Sequence, residues 1–362
     1  MNKIIKYIVL FFNVISVLLL LGACLSPLVS PEKVPFLVFW GLIMPYTLIL
    51  NVLFILYWIV KAKFYFVISL LTIIVVWPTV RTSFPYHNNS KKSNERGVRV
   101  MSYNVRVFDR YNWSEDKNNV GNMIKYIKDE KVDILCLQEF GVALSNKDGV
   151  TEQFIINSFK EFPYRYIYYS SKSSSKSFRQ GLAIFSRYPI SNRSHKGDND
   201  DKNGFCISAD VDVKGRKLTV INSHFKSFHF SNKYDIVKGI DSDNYKIRIK
   251  GAMKSINNTA KMHKASAKAI NTIVEDSPHL VLVCADMNNT PISYSYRILS
   301  KELDDAYLQN GTGFGSTYNG VYPFLRIDYI FHSEGLALLK YTRDKVGYSD
   351  HFPIVAEFDM IK

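Results

Sequence analysis

The stretch Leu280-Val-Leu-Val-Cys-Ala-Asp286-Met-Asn288-Asn-Thr-Pro291 decides how the chain folds. Leu280 to Ala285 is apolar without a break, too short for a helix and rich in valine, as befits a strand covered on both faces. The run stops at a carboxylate, and two amides and a proline then turn the chain into a loop. Ahead of it, Ala265, Ala269, Ile270 and Ile273 recur at helical spacing, so a long helix feeds the strand. The same unit occurs earlier: Val120, Met123, Ile124 and Ile127 mark a helix, and Val132–Leu137 a buried strand that runs into Gln138-Glu139. Further strands are predicted at Val98–Tyr103, Gly181–Phe185, Phe205–Val213, Lys217–Ile221, Ile327–Phe331 and Ile354–Phe358. Helices and strands interleaved in this way imply one α/β domain with its sheets covered by helices. Ser170–Ser177 and Asp198–Asp201 read as loops, and Lys226–Lys250 as an insertion or flap near the site.

The residues before this domain are of another kind. From Ile4 to Val80 the only charges are Lys6, Glu32, Lys33, Lys61 and Lys63. A bilayer core takes about 20 apolar residues in helical form. Ile4–Leu25 and Pro35–Val60 each supply that length, and Phe64–Val80 is a shorter third span closed by Trp77-Pro78. The predicted organisation is a transmembrane anchor over 1–80, a polar linker over 81–97 and a globular domain over 98–362. Lys3, Lys6, Lys61 and Lys63 fall on one side of the membrane, whereas the opposite loop Ser26–Val34 holds only Lys33. Excess cations mark the cytoplasmic side. Three spans then leave the globular domain extracytoplasmic, as in a bacterial inner-membrane protein; two spans would leave it cytoplasmic. A cleaved signal peptide, or a lipoprotein box at Leu21-Gly22-Ala23-Cys24, competes for the first span, and the spans after it argue against both.

With 47% hydrophobic and 22% charged residues over 362, disorder, a collagen repeat and a disulfide miniprotein are excluded. The chain carries +14. Residues 81–362 hold all but five of the 46 cations and all but one of the 32 acids, so that part carries +10. A basic domain suits an anionic partner, whether nucleic acid, lipid surface or small phosphoester. Cys136, Cys206 and Cys284 each sit in a strand-like run without CxxC spacing, so they read as small buried thiols.

The chemistry lies where the strands stop. Asn104 ends the first and Glu139 the second; Asn222-Ser-His224 ends the strand of Lys217–Ile221, and Asp286-Met-Asn288 that of Leu280–Cys284. Arg326-Ile-Asp328 opens another, and Ser349-Asp350-His351 leads into the last. One strand-end Asn or Asp is usually a turn or a cap, but six such sites against buried strands are hard to explain as turns. Three Asp, one Glu and three Asn without a cysteine cluster form a hard oxygen set, suited to Mg²⁺, with Mn²⁺ and Ca²⁺ as alternatives. His224 and His351 add groups that move protons near neutrality. A hard cation, proton carriers and amides together suit phosphoester hydrolysis.

These six segments, in this order, resemble the endonuclease/exonuclease/phosphatase superfamily of metal-dependent phosphoesterases. It includes pancreatic-type deoxyribonuclease, apurinic-site exonucleases, neutral sphingomyelinases and inositol polyphosphate phosphatases. The resemblance spans Val98–Phe358. It implies a four-layered sandwich, two packed β-sheets flanked by helices, with the site at the sheets' upper edge. It also implies roles: Glu139 as the main metal ligand with Asn104 and Asp350 beside the metal, and Asp286 and Asn288 holding the nucleophilic water and the scissile phosphate. His351 resembles the general base, oriented by Asp328, whose carboxylate raises its basicity. His224 resembles the second histidine, a donor to phosphate or leaving group, and Asn222 of the same segment is expected at the phosphate. Asn-Ser-His here is similar to the deoxyribonuclease, sphingomyelinase and inositol phosphatase branches; apurinic-site exonucleases carry a Tyr-x-Pro-Asn type segment instead. Arg106 stands where some nucleases have an acidic metal ligand. A cation there implies one principal metal and a contact to phosphate oxygens.

Fold and metal do not fix the substrate. The expectation is a phosphodiesterase held in the lipid bilayer by its N-terminal helices and acting on lipid head groups, sphingomyelinase-like, with Phe225–Tyr234 able to dip into the interface. The rival is a tethered nuclease whose basic domain grips nucleic acid. A catalytically inactive binding module is a third reading, opposed by the chemically competent residue at every position named above.

Overall fold

The computed structural model describes residues 3–34, 37–85, 97–147, 149–170, 175, 177–197, 205–228, 245–320 and 324–360. Residues 229–244 of the expected flap, 86–96 of the expected linker and much of the two expected loops lie outside the described residues.

All eight predicted strands are present. They are β1 (Val98–Asn104), β2 (Ile134–Ala143), β4 (Phe178–Ser186), β6 (Cys206–Val213), β7 (Arg216–His224), β8 (Leu280–Asp286), β10 (Asp328–His332) and β12 (Ile354–Met360). Four more were not expected: β3 (Tyr164–Tyr169), β5 (Ile190–Lys196), β9 (Asp304–Asp305) and β11 (Leu336–Arg343). The described residues form two six-stranded sheets, ordered β11-β12-β1-β2-β4-β3 and β5-β6-β7-β8-β10-β9. All four unexpected strands are therefore sheet edges. An edge strand faces solvent along one side and needs less apolar patterning; β5, Ile-Ser-Asn-Arg-Ser-His-Lys, is mostly exposed.

Three apolar clusters make the four layers. Between the sheets lie Val100, Ile134, Cys136, Ile184, Val220, Cys284 and Ile354. Outside the first sheet, Met101, Leu135 and Leu137 meet Met123 and Ile127 of α4 (Asn119–Asp129) and Ile155 of α5 (Glu152–Ser158). Outside the second, Val281, Val283 and Tyr329 meet Ala267 and Ile270 of α6 (Tyr245–Asp276) and Tyr296 of α7 (Tyr294–Leu299). Alternate residues of one strand thus serve two cores, which is why these strands read as unbroken apolar runs.

Register sets the active edge. β1 and β2 are parallel with Asn104 opposite Gln138, and β7 and β8 are parallel with His224 opposite Asp286. β10 runs antiparallel to β8, so its first residue, Asp328, faces Asp286. His224, Asp286 and Asp328 therefore occupy one rung of the second sheet.

The N-terminal helices are α1 (Lys3–Leu25), α2 (Leu37–Val60) and α3 (Phe66–Arg81). Two of them, α1 and α2, are long and apolar enough to cross a membrane. At 16 residues α3 spans about 24 Å, short of the roughly 30 Å hydrocarbon core, although Phe64–Val80 was expected to be a third span. The bundle buries hydrogen-bonded polar side chains beside an apolar cluster of Leu20, Ala23, Met44, Val76 and Val80 and is apolar outside. Asn13 Nδ2 donates to Ser69 Oγ (2.6 Å), Trp58 Nε1 to Asn13 Oδ1 (2.9 Å) and Asn51 Nδ2 to Ser16 Oγ (2.8 Å). Phe11, Leu18, Leu53, Leu56, Leu71 and Ile74 are exposed.

One end of this bundle abuts the sandwich: the end of α1, the start of α2 and the end of α3. Glu32 pairs with Lys264 of α6, and a Cβ at Gly41 would collide with the Ile292 carbonyl. Rings meet at Phe84–Phe314 (5.0 Å) and Tyr46–Phe324 (5.7 Å). Buried Arg326 binds Asp305 Oδ2 through Nη1 (2.6 Å) and the Thr82 carbonyl through Nη2 (3.0 Å). Lys3, Lys6, Lys61 and Lys63 belong to the opposite end, where Lys6 Nζ lies 5.2 Å from the centre of the Tyr65 ring.

Candidate active site

Three carboxylates and two imidazoles converge at the edge that the register defines. Asp286 Oδ2 is the hub. It accepts from Asn104 Nδ2 at 2.9 Å, and His224 Nε2 and His351 Nε2 lie 3.5 and 3.8 Å away. Glu139 Oε1 is 3.6 Å from the same His224 nitrogen. On the far side of His351, Nδ1 meets both Asp328 oxygens at 3.2 and 3.0 Å, as a donor to the carboxylate.

Local backbone geometry aims these groups. The β2–β4 register shifts between Leu137 and Phe140, and Glu139 sits in the shift with a φ of 48°. A bulge re-aims one side chain off the pleat, here the carboxylate. Asn288 also has a left-handed φ of 45°. Its backbone N–H returns to Asp286 Oδ1 (2.9 Å) and its Nδ2 donates to the Phe225 carbonyl (3.0 Å). Left-handed non-glycine residues carry strain that clusters at functional sites, and these two flank the hub.

Burial and charge tune the imidazoles. Burial opposes the His351 cation, but Asp328, Asp286 and Asp350 outweigh it and hold its pKa well above the ordinary value. Burial also raises the Asp328 pKa, against the pull of His351 and a hydrogen bond from Thr317. His224 Nε2 is buried without a hydrogen-bond partner among the described residues, facing two carboxylates just beyond bonding distance. An orphaned nitrogen facing two acids is the environment of a group built to meet a ligand. Asp286, Asp328 and His351 offer atoms within 4.8 Å of one another, close enough to share a metal ion.

The expected residues separate into those brought together and those set apart. Asn104, Glu139, His224, Asp286, Asp328 and His351 are at the hub, with Asn288 beside it. Asp350 sits at the rim, its Oδ2 3.3 Å from Arg106 Nε, and Arg106 stacks on Trp113 at 3.9 Å. Asn222 was expected at the phosphate but is fully buried between the sheets. Its Nδ2 donates to the Leu137 and Ala183 carbonyls (2.9 Å each) and its Oδ1 accepts from Gln138 Nε2 (2.7 Å). Its amide is spent on bridging the two sheets; His224 lies on the same face of β7 two residues further on, where the strand ends at the active edge.

A family model described as Endonuclease/Exonuclease/phosphatase family matches residues 101–351, well over half of the chain. The chain belongs to that family. Residues 6–83 match a second model, a domain of unknown function (DUF8431). No curated protein matches the chain. Solved structures share the fold. An endonuclease/exonuclease/phosphatase from Beutenbergia cavernae DSM 12333 is 15% identical, with a TM-score of 0.56 over 74% of this chain and 72% of that one. One from Bacteroides vulgatus is 15% identical, with a TM-score of 0.52 over 74% of this chain and all of that one. The human Nocturnin catalytic domain with bound sulfate anion is 17% identical, with a TM-score of 0.50 over 73% and 93%.

Supporting residues of this endonuclease/exonuclease/phosphatase site escaped the sequence reading. His263 of α6 is buried between Phe225 and Phe228. Its Nε2 donates to the Lys226 carbonyl (2.6 Å) and its Nδ1 accepts from Asn289 Nδ2 (3.1 Å), so it is neutral and joins the loops after His224 and Asp286. Burial lowers its pKa to about 4. Thr317 Oγ1 accepts the N–H groups of Ile327 and Asp328 (3.0 Å each), fixing the start of β10. The signal for His263 was present as one histidine on the apolar face of α6; Thr317 carries no pattern at all.

Proposed function

We propose that the chain is a divalent-metal-dependent phosphodiester hydrolase, anchored in a membrane and acting on lipid head groups. The observation that carries the catalytic reading is the Asp286 hub, flanked by His224 and by the His351–Asp328 pair. Glu139, Asn104 and Asp350 would hold Mg²⁺, and bound there it would neutralise phosphoryl oxygens. The three converging acids, with Asp350 at the rim, and the orphaned His224 nitrogen fit a cation and a phosphate better than they fit water. Asp286 and Asn288 orient the attacking water. His351 takes its proton through Nε2, while Asp328 fixes the ring through Nδ1. His224 donates to the phosphate or leaving group, and Arg106 steadies charge at the rim.

Three observations support the lipid reading. The α1–α3 bundle has an apolar exterior and interhelical polar hydrogen bonds inside, the arrangement of helices in hydrocarbon. The bundle end that abuts the sandwich touches Ile292 and Arg326, in the loops that carry Asn288 and Asp328, so the active edge faces the bilayer surface. The four lysines at the far end fit a cytoplasmic N-terminus and an extracytoplasmic catalytic domain. The +10 charge of residues 81–362 keeps the nuclease as the second reading.

The test uses the full chain in detergent or vesicles with Mg²⁺, against sphingomyelin, phospholipid, plasmid DNA and a chromogenic phosphodiester. EDTA and Glu139→Ala are each expected to abolish hydrolysis; activity that survives both would overturn the mechanism. Faster cleavage of DNA than of lipid would transfer the proposal to the nuclease reading. Protease added outside spheroplasts is expected to digest the catalytic domain, and protection would reverse the orientation.

A further inference from the structure

Where α2 meets the sandwich there is a cavity of about 320 Å³, within the range of roughly 300–1,000 Å³ typical of small-ligand sites. Phe39, Leu42 and Ile43 of α2 form one wall, and Ile292, Phe314 and Phe324 of the sandwich form the other. Its few polar residues include Ser83, Arg326 and Thr290. The guanidinium of Arg326 is already committed to Asp305 and Thr82. Thr290 is 7% exposed, and its Oγ1 has no hydrogen-bond partner among the described residues. The cavity therefore offers a long apolar wall and the buried, unpartnered Thr290 hydroxyl.

Its two ends identify the occupant. Tyr46 lines it and is half exposed, and Leu50 and Leu53 continue the same face of α2, also exposed. Residues four and seven positions on lie beneath one another on a helix, so the cavity runs on into the apolar outer stripe of α2. At the other end, Thr290 is two residues beyond Asn288 and Arg326 two residues before Asp328. The Tyr329 hydroxyl ties these two segments together through the Asn289 and Arg326 carbonyls (2.8 and 2.7 Å). A molecule filling this space would have an apolar tail toward the hydrocarbon and a polar end toward the catalytic rung.

We propose that the cavity binds one acyl chain of the substrate, a phosphodiester lipid taken from the bilayer, with the Thr290 hydroxyl bonded to an oxygen of the lipid's neck. The phosphodiester then lies at His224, Asp286 and Asn288. The proposal rests on the membrane-anchored phosphodiesterase reading above and adds the residues that recognise the lipid.

The test takes the full chain in vesicles with a series of p-nitrophenyl alkyl phosphates, from methyl to dodecyl. In the parent protein kcat/KM is expected to rise at least tenfold along the series, since each buried methylene adds affinity. Leu42→Trp, which fills the cavity from α2, should flatten that rise and leave the methyl ester unaffected, which also shows that the variant is folded. A rate independent of chain length, or a rise that persists in Leu42→Trp, would overturn the proposal while leaving the hydrolase reading intact. A second arm needs no turnover. Glu139→Ala protein in vesicles of phosphatidylcholine bearing a diazirine on the acyl chain is expected to be labelled at Ile292 and Phe314, and Leu42→Trp should remove that label. Label confined to the outward faces of α1 and α3 would overturn the cavity. Absence of hydrolysis across the series would instead sink the catalytic reading, with the label still deciding whether a chain binds.

Discussion

Two of the buried polar clusters among the described residues are opposites. In the helical bundle, Asn13, Ser16, Asn51, Trp58 and Ser69 are neutral, and their short hydrogen bonds run from one helix to another. In the sandwich, Asp286, Asp328, His224 and His351 are ionisable, and their closest approaches include gaps of 3.5 and 3.8 Å around one carboxylate oxygen. The first cluster joins helix to helix, with Asn51 Oδ1 alone of these side chains left without a partner among the described residues, and acts as an adhesive. The second has like charges held together with an unmet nitrogen, which costs stability and is retained for what it binds. Burial alone does not mark a functional site; converging buried charge beside an unmet nitrogen does.

The largest effect expected to test this contrast lies in the charged cluster. Asp328→Asn removes the carboxylate that fixes His351 and should lower kcat by about 10²–10⁴-fold, with far-UV circular dichroism unchanged. Turnover within a few-fold of the parent would place Asp328 among the adhesive groups instead.

A smaller effect concerns His263, whose folded pKa of about 4 lies below the ordinary 6.5. The unfolded chain takes up the proton first as pH falls, so the stability from this group is complete above about 6.5 and lost between there and 4. Integrated over that window it amounts to about 3 kcal/mol. Thermal unfolding of the full chain between pH 7.5 and 4 should show this loss, and His263→Gln should flatten it. An equal slope in both proteins would mean that His263 does not stay neutral when folded.

The smallest effect is expected in the bundle. Asn13→Leu removes the partner of Ser69 and Trp58 and should cost about 0.6–2 kcal/mol, read from unfolding in mixed detergent, with kcat unchanged. A large loss of activity would show that the two clusters are coupled through the junction.

Much of this was legible in the amino-acid order. The eight inner strands announce themselves because both their faces are buried, and each catalytic carboxylate or imidazole sits within a few residues of such a strand end. What could not be read has a common cause. β3, β5, β9 and β11 are edges, partly wet, so their residues carry little pattern. Asn222 and His224 share one face of β7, two positions apart; only the neighbours Gln138 and Leu137 reveal that the amide lies one step deeper between the sheets and is already bonded there. Thr317 and His263 act from a distance in sequence, through hydrogen bonds that exist only once the loops have met.

The rung shared by His224, Asp286 and Asp328 has a consequence for how such a protein changes over time. Three reacting groups are spaced by backbone hydrogen bonds of adjacent strands, so their separations are inherited from the sheet and are insensitive to what the overlying segments contain. The helices α1–α3, which meet the sandwich beside Ile292 and Arg326, can be exchanged for others without disturbing the spacing. Selection can therefore redirect such a catalyst to a new phosphoester by rebuilding its approach path, while the part that breaks the bond stays still.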